Sequence, residues 1–125
     1  MHHYMKTILF YIFAFFLATG LKAQSCEELL EYVKSQGYGT TYTSYNSDAI
    51  SKVTFYQIYS DYTYLYFAVV CFKRKNTYSC DEYLYQVSST TKGNYSMNYY
   101  SSAGKAFWDY IQPHNTNLGC APNFN

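Results

Sequence analysis

Apolar residues recur along the chain with two different periods. Cys26, Leu29, Leu30 and Val33 fall at i, i+3, i+4 and i+7, one face of a helix, and Ser25 and Glu28 have the spacing of a capping box at its start. Lys34 suits the negative end of that helix, and Gly37 or Gly39 is its expected stop. Tyr38 to Ser47 is Thr, Tyr, Ser and Asn without an apolar period and reads as a loop or irregular edge. From Ile50 the period changes to two. Ile50, Val53, Phe55, Tyr56, Ile58 and Tyr59 predict a first strand, and Asp61 supplies the turn. Tyr62 to Phe72 and Tyr83 to Val87 predict two more strands, joined as a hairpin through the polar run Lys73-Arg74-Lys75-Asn76-Thr77.

Alternation separates the two faces of this sheet. In the second strand Leu65, Phe67, Val69 and Cys71 point one way and Tyr64, Tyr66, Ala68, Val70 and Phe72 the other; in the third, Leu84 opposes Tyr83, Tyr85 and Val87. One face is aliphatic and the other rich in tyrosine, so helices must cover at least one of them. After a polar break at Thr90–Asn94, Tyr95–Tyr100 predicts a short helix. Ser102 then caps a second one, with Ala103, Phe107, Tyr110 and Ile111 as its apolar face and Pro113 at its end. The expected fold is α+β: a three-stranded antiparallel β-meander packed with an N-terminal helix and C-terminal helices, stabilised by disulfides.

The first residues read as an address. Lys6, the apolar run Ile8–Leu17 and the small residues Ala18, Thr19, Gly20 and Ala23 have the order of a secretory signal peptide, residues 1–23, leaving 24–125 as a single exported domain. The apolar run is shorter than the ~20 residues a spanning helix needs. A lipid anchor on Cys26 would want a Leu-Ala-Gly-like triplet before it, and Ala23-Gln24-Ser25 is a poor match. The expected location is therefore the periplasm or the medium.

Export changes the reading of Cys26, Cys71, Cys80 and Cys120. An even number of cysteines in a small exported domain reads as two disulfides, with three possible connectivities. With the hairpin turn centred between Lys75 and Asn76, Cys71 and Cys80 face each other at a non-hydrogen-bonded position. Cys26 and Cys120 then join the ends of the domain; the alternative is a pair left as buried thiols. A zinc site is disfavoured, because the sequence has no Cys-x-x-Cys and export leaves His114 as the only histidine.

The 125 residues carry 18 tyrosines, more than Lys and Arg (9) and Asp and Glu (8) combined. Such low charge and high aromatic content argue against disorder. Loss of Lys6 and Lys22 with the signal leaves a slightly acidic chain, which disfavours polyanion binding.

Tyr83-Leu84-Tyr85 with Val87, followed by Ser102-x-Gly104-x-x-Phe107 and Ile111, resembles the KTSC domain, a small domain found alone in bacteria and at the C-terminus of some lysyl-tRNA synthetases. Ser47-x-x-Ile50-x-x-Val53-x-Phe55 looks like that family's first strand, so the resemblance spans residues 47–111. The family's usual Pro after the Val is Ser88 here, and the segment before Ser102 is longer. The resemblance implies two strands, a Tyr-x-Tyr strand and a helix, with Tyr83, Tyr85, Ser102, Gly104 and Phe107 as the motif positions. It also implies RNA binding as an alternative function. Physically these positions read as fold residues: Gly104 would let the helix approach the sheet closely, and Phe107 would fill the core against Tyr83 or Tyr85.

No catalytic constellation stands out. His114 follows Pro113 in a polar tail and reads as a solvated loop residue, while Asp81 and Glu82 would point to opposite faces of a strand. Lys73-Arg74-Lys75 reads as a solubilising hairpin tip. No enzyme activity, cofactor or metal is expected. Tyrosine is the strongest lead, since a domain of this size cannot enclose so many. Tyr42, Tyr45, Tyr59, Tyr62 and Tyr64 form the expected ligand platform, and the expected partner is a protein, peptide or glycan, with nucleic acid disfavoured.

Overall fold

The change of period at Ile50 marks where helix gives way to sheet. The computed structural model describes residues 22–36, 38–122 and 124. In chain order these form helix α1 (Lys22–Ser35), strands β1 (Thr40–Thr43), β2 (Ile50–Ser60), β3 (Thr63–Lys73) and β4 (Cys80–Val87), helices α2 (Thr91–Asn98) and α3 (Ala103–Tyr110), a 3-10 turn (Gln112–His114) and a last helical turn α4 (Asn115–Leu118). The predicted signal peptide lies outside the described residues, apart from Lys22 and Ala23 in the first turn of α1. Among the described residues no helix is long and apolar enough to cross a membrane.

The architecture is α+β, but the antiparallel sheet has four strands in the order β1-β2-β3-β4 rather than three. The extra strand, β1, lies in the segment expected to be a loop. It has no apolar run of its own and is held by pairing Thr40–Thr43 with Lys52–Phe55, assisted by a Thr41 Oγ1–Thr54 Oγ1 hydrogen bond of 2.9 Å. Gly39 permits this close approach: a Cβ there would lie 2.9 Å from the Tyr56 ring and closer still to Thr54 Cγ2.

The two faces segregate as alternation predicts. On one face Val33 of α1 packs with Ile58, Phe67, Val69 and Leu84, and Leu29, Leu30, Leu65 and Tyr56 border the cluster. On the other, α2 and α3 bury Tyr95, Ala103, Ala106 and Phe107 against Val53, Phe55, Ala68, Val70 and Tyr85. This second core is largely aromatic: Tyr95 stacks on Tyr99 at 5.5 Å and 12°, and Phe107 meets Phe72 edge-on at 5.3 Å.

Three local expectations are corrected. Helix α1 starts at Lys22, so Ser25 is a buried residue within the helix and not the N-cap of a capping box; Lys22, Ala23 and Gln24 are good helix formers and carry the helix back past it. Helix α2 begins at Thr91, inside the predicted break, where the Thr91 hydroxyl accepts a hydrogen bond from the Ser88 N–H (3.1 Å) and fixes the entry turn. The tail after Pro113 is helical turn, and His114 is half-buried in it rather than lying in a solvated loop. Ser102 does cap α3, accepting from Lys105 N at 3.1 Å.

Both predicted disulfides are present, Cys26–Cys120 and Cys71–Cys80. The hairpin register differs by two from the expected one, since Cys71 faces Glu82 and Cys80 faces Lys73. Asn76 adopts a positive φ of 63° and Thr77 Oγ1 accepts from Ser79 N, so the turn is longer and centred one residue further on. Cys71 and Cys80 become diagonal neighbours on one face, with Cα atoms 5.4 Å apart, within the ordinary range for a disulfide.

Candidate functional site

The five tyrosines of the expected platform divide among three places. Tyr42 on β1 belongs to the core, packed 5.3 Å from Tyr99 and 6.0 Å from Phe55, and is removed from the candidates. Its burial follows from β1 being a strand, which turns alternate residues inward.

Tyr59, Tyr62 and Tyr64 come together at the end of the β2–β3 hairpin. β1 covers only Lys52–Phe55 of β2, and β4 covers only Tyr66–Lys73 of β3, so the hairpin projects beyond both neighbours. Its aliphatic side is closed by α1 through Ile58 and Leu65. Its opposite side carries Tyr59 and Tyr64 as directly facing partners, 60% and 53% exposed. The loop between the strands is two residues long, Asp61 and Tyr62, both at positive φ (50° and 65°). That signature belongs to a type I′ turn, which favours Asn-Gly or Asp-Gly. Here the glycine position holds Tyr62, 95% exposed.

Tyr45 lies at the far end of β2, in the β1–β2 loop, beside the α2–α3 turn. Between these two segments runs a cleft of about 610 Å³, lined by residues 43–49 and 99–104. Tyr45 and Tyr100 stand at it, each 88% exposed. Ser44 lines it with a buried hydroxyl that lies beside the Tyr95 phenol, and neither oxygen has a partner at hydrogen-bonding geometry. Burial pushes the Tyr95 hydroxyl up to about 12, against a smaller lowering by Ser44. Tyr100, Asn46 and Asp48 escape sequence reading because the cleft joins distant parts of the chain.

The motif positions divide between core and surface. Tyr85 and Phe107 are buried with ring centroids 5.6 Å apart, and Tyr83 packs 5.8 Å from Phe72. Gly104 does not serve close packing, because a Cβ there would meet nothing within 4 Å; it borders the cleft, as does the capping residue Ser102.

Several charged groups near the strands are committed. Asp81 and Glu82 point to opposite sides of β4, Asp81 pairing with Arg74 at 2.6 Å and Glu82 with Lys34 of α1 at 2.8 Å. Lys73 Nζ donates to the Ser47 carbonyl. The basic cluster lies at the end of β3 opposite to Tyr59, Tyr62 and Tyr64, and the exposed ring beside it is Tyr78, in the β3–β4 turn. The chain matches no family model, no curated protein and no solved structure.

Proposed function

We propose that the chain is an exported, non-catalytic, KTSC-like module that binds a protein, peptide or glycan through the tyrosines at the β2–β3 tip. The observation that carries this reading is Tyr62. A bulky side chain is held in the left-handed region, at a position where glycine would be unstrained, and its ring faces solvent instead of the core. Folding gains nothing from that placement, whereas a rigid, amphipathic ring beside Tyr59 and Tyr64 suits recognition. Two disulfides fit an oxidising compartment. The commitment of Asp81 and Glu82 to separate cations supports a non-catalytic role. The nucleic-acid alternative is less well supported, with Lys73 and Arg74 both engaged within the protein.

The test is binding of the oxidised protein to peptide and glycan arrays, with Tyr59→Ser/Tyr62→Gly/Tyr64→Ser beside the parent. Binding that persists at high salt and disappears in the triple variant is expected. Binding to RNA that falls steeply with salt and disappears when Lys73, Arg74 and Lys75 are neutralised would replace this reading with the nucleic-acid one.

A further inference from the structure

We propose that the cleft between the β1–β2 loop and the α2–α3 turn is a second site, one that binds a neutral oligosaccharide. Its volume of about 610 Å³ is of the size that small-ligand sites have. Its lining combines exposed phenol rings with many small hydroxyls, and the only charged side chain among the lining residues is Asp48. An anionic ligand would find no cation in the lining, and the neighbouring Lys73 ammonium is engaged by the Ser47 carbonyl. A peptide anchor would want an apolar pocket, and apart from the tyrosine rings the apolar side chains in the lining are two alanines, Ala49 and Ala103. A sugar needs what is present: flat apolar surface for the C–H face of a pyranose, edged by donors and acceptors for its hydroxyls.

Part of the cleft's polar lining is uncommitted. The buried Ser44 hydroxyl is unpartnered, and the side chains of Asn46 and Asp48 make no hydrogen bond among the described residues. The walls are also fixed in advance. Ser44 N donates to Ser51 O (2.9 Å), Ile50 N to Ser47 Oγ (3.1 Å) and Lys73 N to Ala49 O (2.8 Å), while Ser102 holds the start of α3. Binding to such walls loses little ordering entropy. This site is independent of the hairpin tip, so each can fail without the other.

The experiment is calorimetric titration of the full, oxidised protein with neutral glucan, mannan, galactan and chitin-type oligosaccharides, with polygalacturonate and heparin as anionic probes. Amide chemical shifts are followed alongside. At least one neutral oligosaccharide is expected to bind with salt-independent affinity, to shift amides of residues 43–49 and 99–104, and to lose about tenfold or more in affinity with Tyr45→Ala or Tyr100→Ala. The tip variant Tyr59→Ser/Tyr62→Gly/Tyr64→Ser should bind it unchanged. Failure of every neutral sugar, binding of the anionic probes alone, or binding lost through the tip variant and kept in Tyr45→Ala and Tyr100→Ala would each overturn the proposal.

Discussion

Tyr59 and Tyr64 face each other across the β2–β3 ladder with ring centroids 5.1 Å apart and planes at 61°, one pair inward from the turn that holds Tyr62. Both rings lie on the face of the sheet that α2 and α3 cover further along, and at the tip they are largely exposed. The pair stiffens the tip, worth up to about 1 kcal/mol for an aromatic cross-strand pair. The turn it supports presents Tyr62 to solvent. Stability and display are in opposition only at Tyr62 itself.

Replacing Tyr62 by glycine should therefore separate the two. A left-handed conformation costs an L-residue roughly 1–2 kcal/mol, part of which returns as extra unfolded-state freedom when glycine is introduced. Tyr62→Gly is expected to raise stability by about 1 kcal/mol or less while abolishing ligand capture at the tip. Urea unfolding and a binding assay on the same preparation check this. A Tyr62→Gly protein that is less stable than the parent would show that the ring contributes to the fold and would remove the reason for reading it as a recognition residue.

The disulfides should rank by the chain they close. Cys26–Cys120 spans 94 residues and ties the start of α1 to the segment after α4. Cys71–Cys80 spans 9 and closes one hairpin. Chain entropy gives about 4.5 kcal/mol for the first and about 2.5 for the second. Cys26→Ser/Cys120→Ser is expected to lose more stability in chemical denaturation than Cys71→Ser/Cys80→Ser, and equal losses would contradict the loop-length account.

Alternation along Leu65–Phe72 and Tyr83–Val87 was enough to sort aliphatic from tyrosine faces, because a half-buried strand encodes its environment locally. The Cys71–Cys80 pairing was legible as well, but its register was not: the turn residues Asn76 and Thr77 decide it through a left-handed backbone and a side-chain hydrogen bond. β1 was illegible for a different reason. Thr40–Thr43 has no apolar signal and exists through its partner strand. Among the tyrosines, only position in space separates Tyr42 in the core from Tyr45 in the cleft. The cleft also needs Tyr100, which approaches Tyr45 through tertiary packing alone.

Tyr85 offers a test of the core. It is fully buried and its hydroxyl has no hydrogen-bond partner, while the ring packs on Phe107. Desolvation raises its ionisation well above the ordinary tyrosine range. Tyr85→Phe retains the ring and deletes the unpaired oxygen, so a gain of about 1 kcal/mol is expected. Thermal and denaturant unfolding measure it. A loss of that size would mean that the hydroxyl is satisfied in solution, and the Tyr83-Leu84-Tyr85 strand would then hold a polar contact at its centre.

Tyr95 sets how the protein fails in base. Its hydroxyl is pushed from 10.0 up to about 12, mainly by burial. Below pH 10 both folded and unfolded chains keep the proton, so this group adds no slope to stability. Between pH 10 and 12 the unfolded chain releases the proton and the folded chain holds it, so stability falls as pH rises; above that both are ionised and the slope vanishes. The loss through Tyr95 is on the order of 2 kcal/mol, and Tyr85, raised by the same cause, acts in the same direction. Tyr95→Phe should flatten the upper part of the pH–stability curve, and in the parent the last fraction of tyrosinate absorbance, that of the buried Tyr85 and Tyr95, should rise together with unfolding. Stability independent of pH through that window, or tyrosinate forming at Tyr95 well before the fold is lost, would show that its hydroxyl reaches water, and the Ser44 side of the cleft would then be open to solvent.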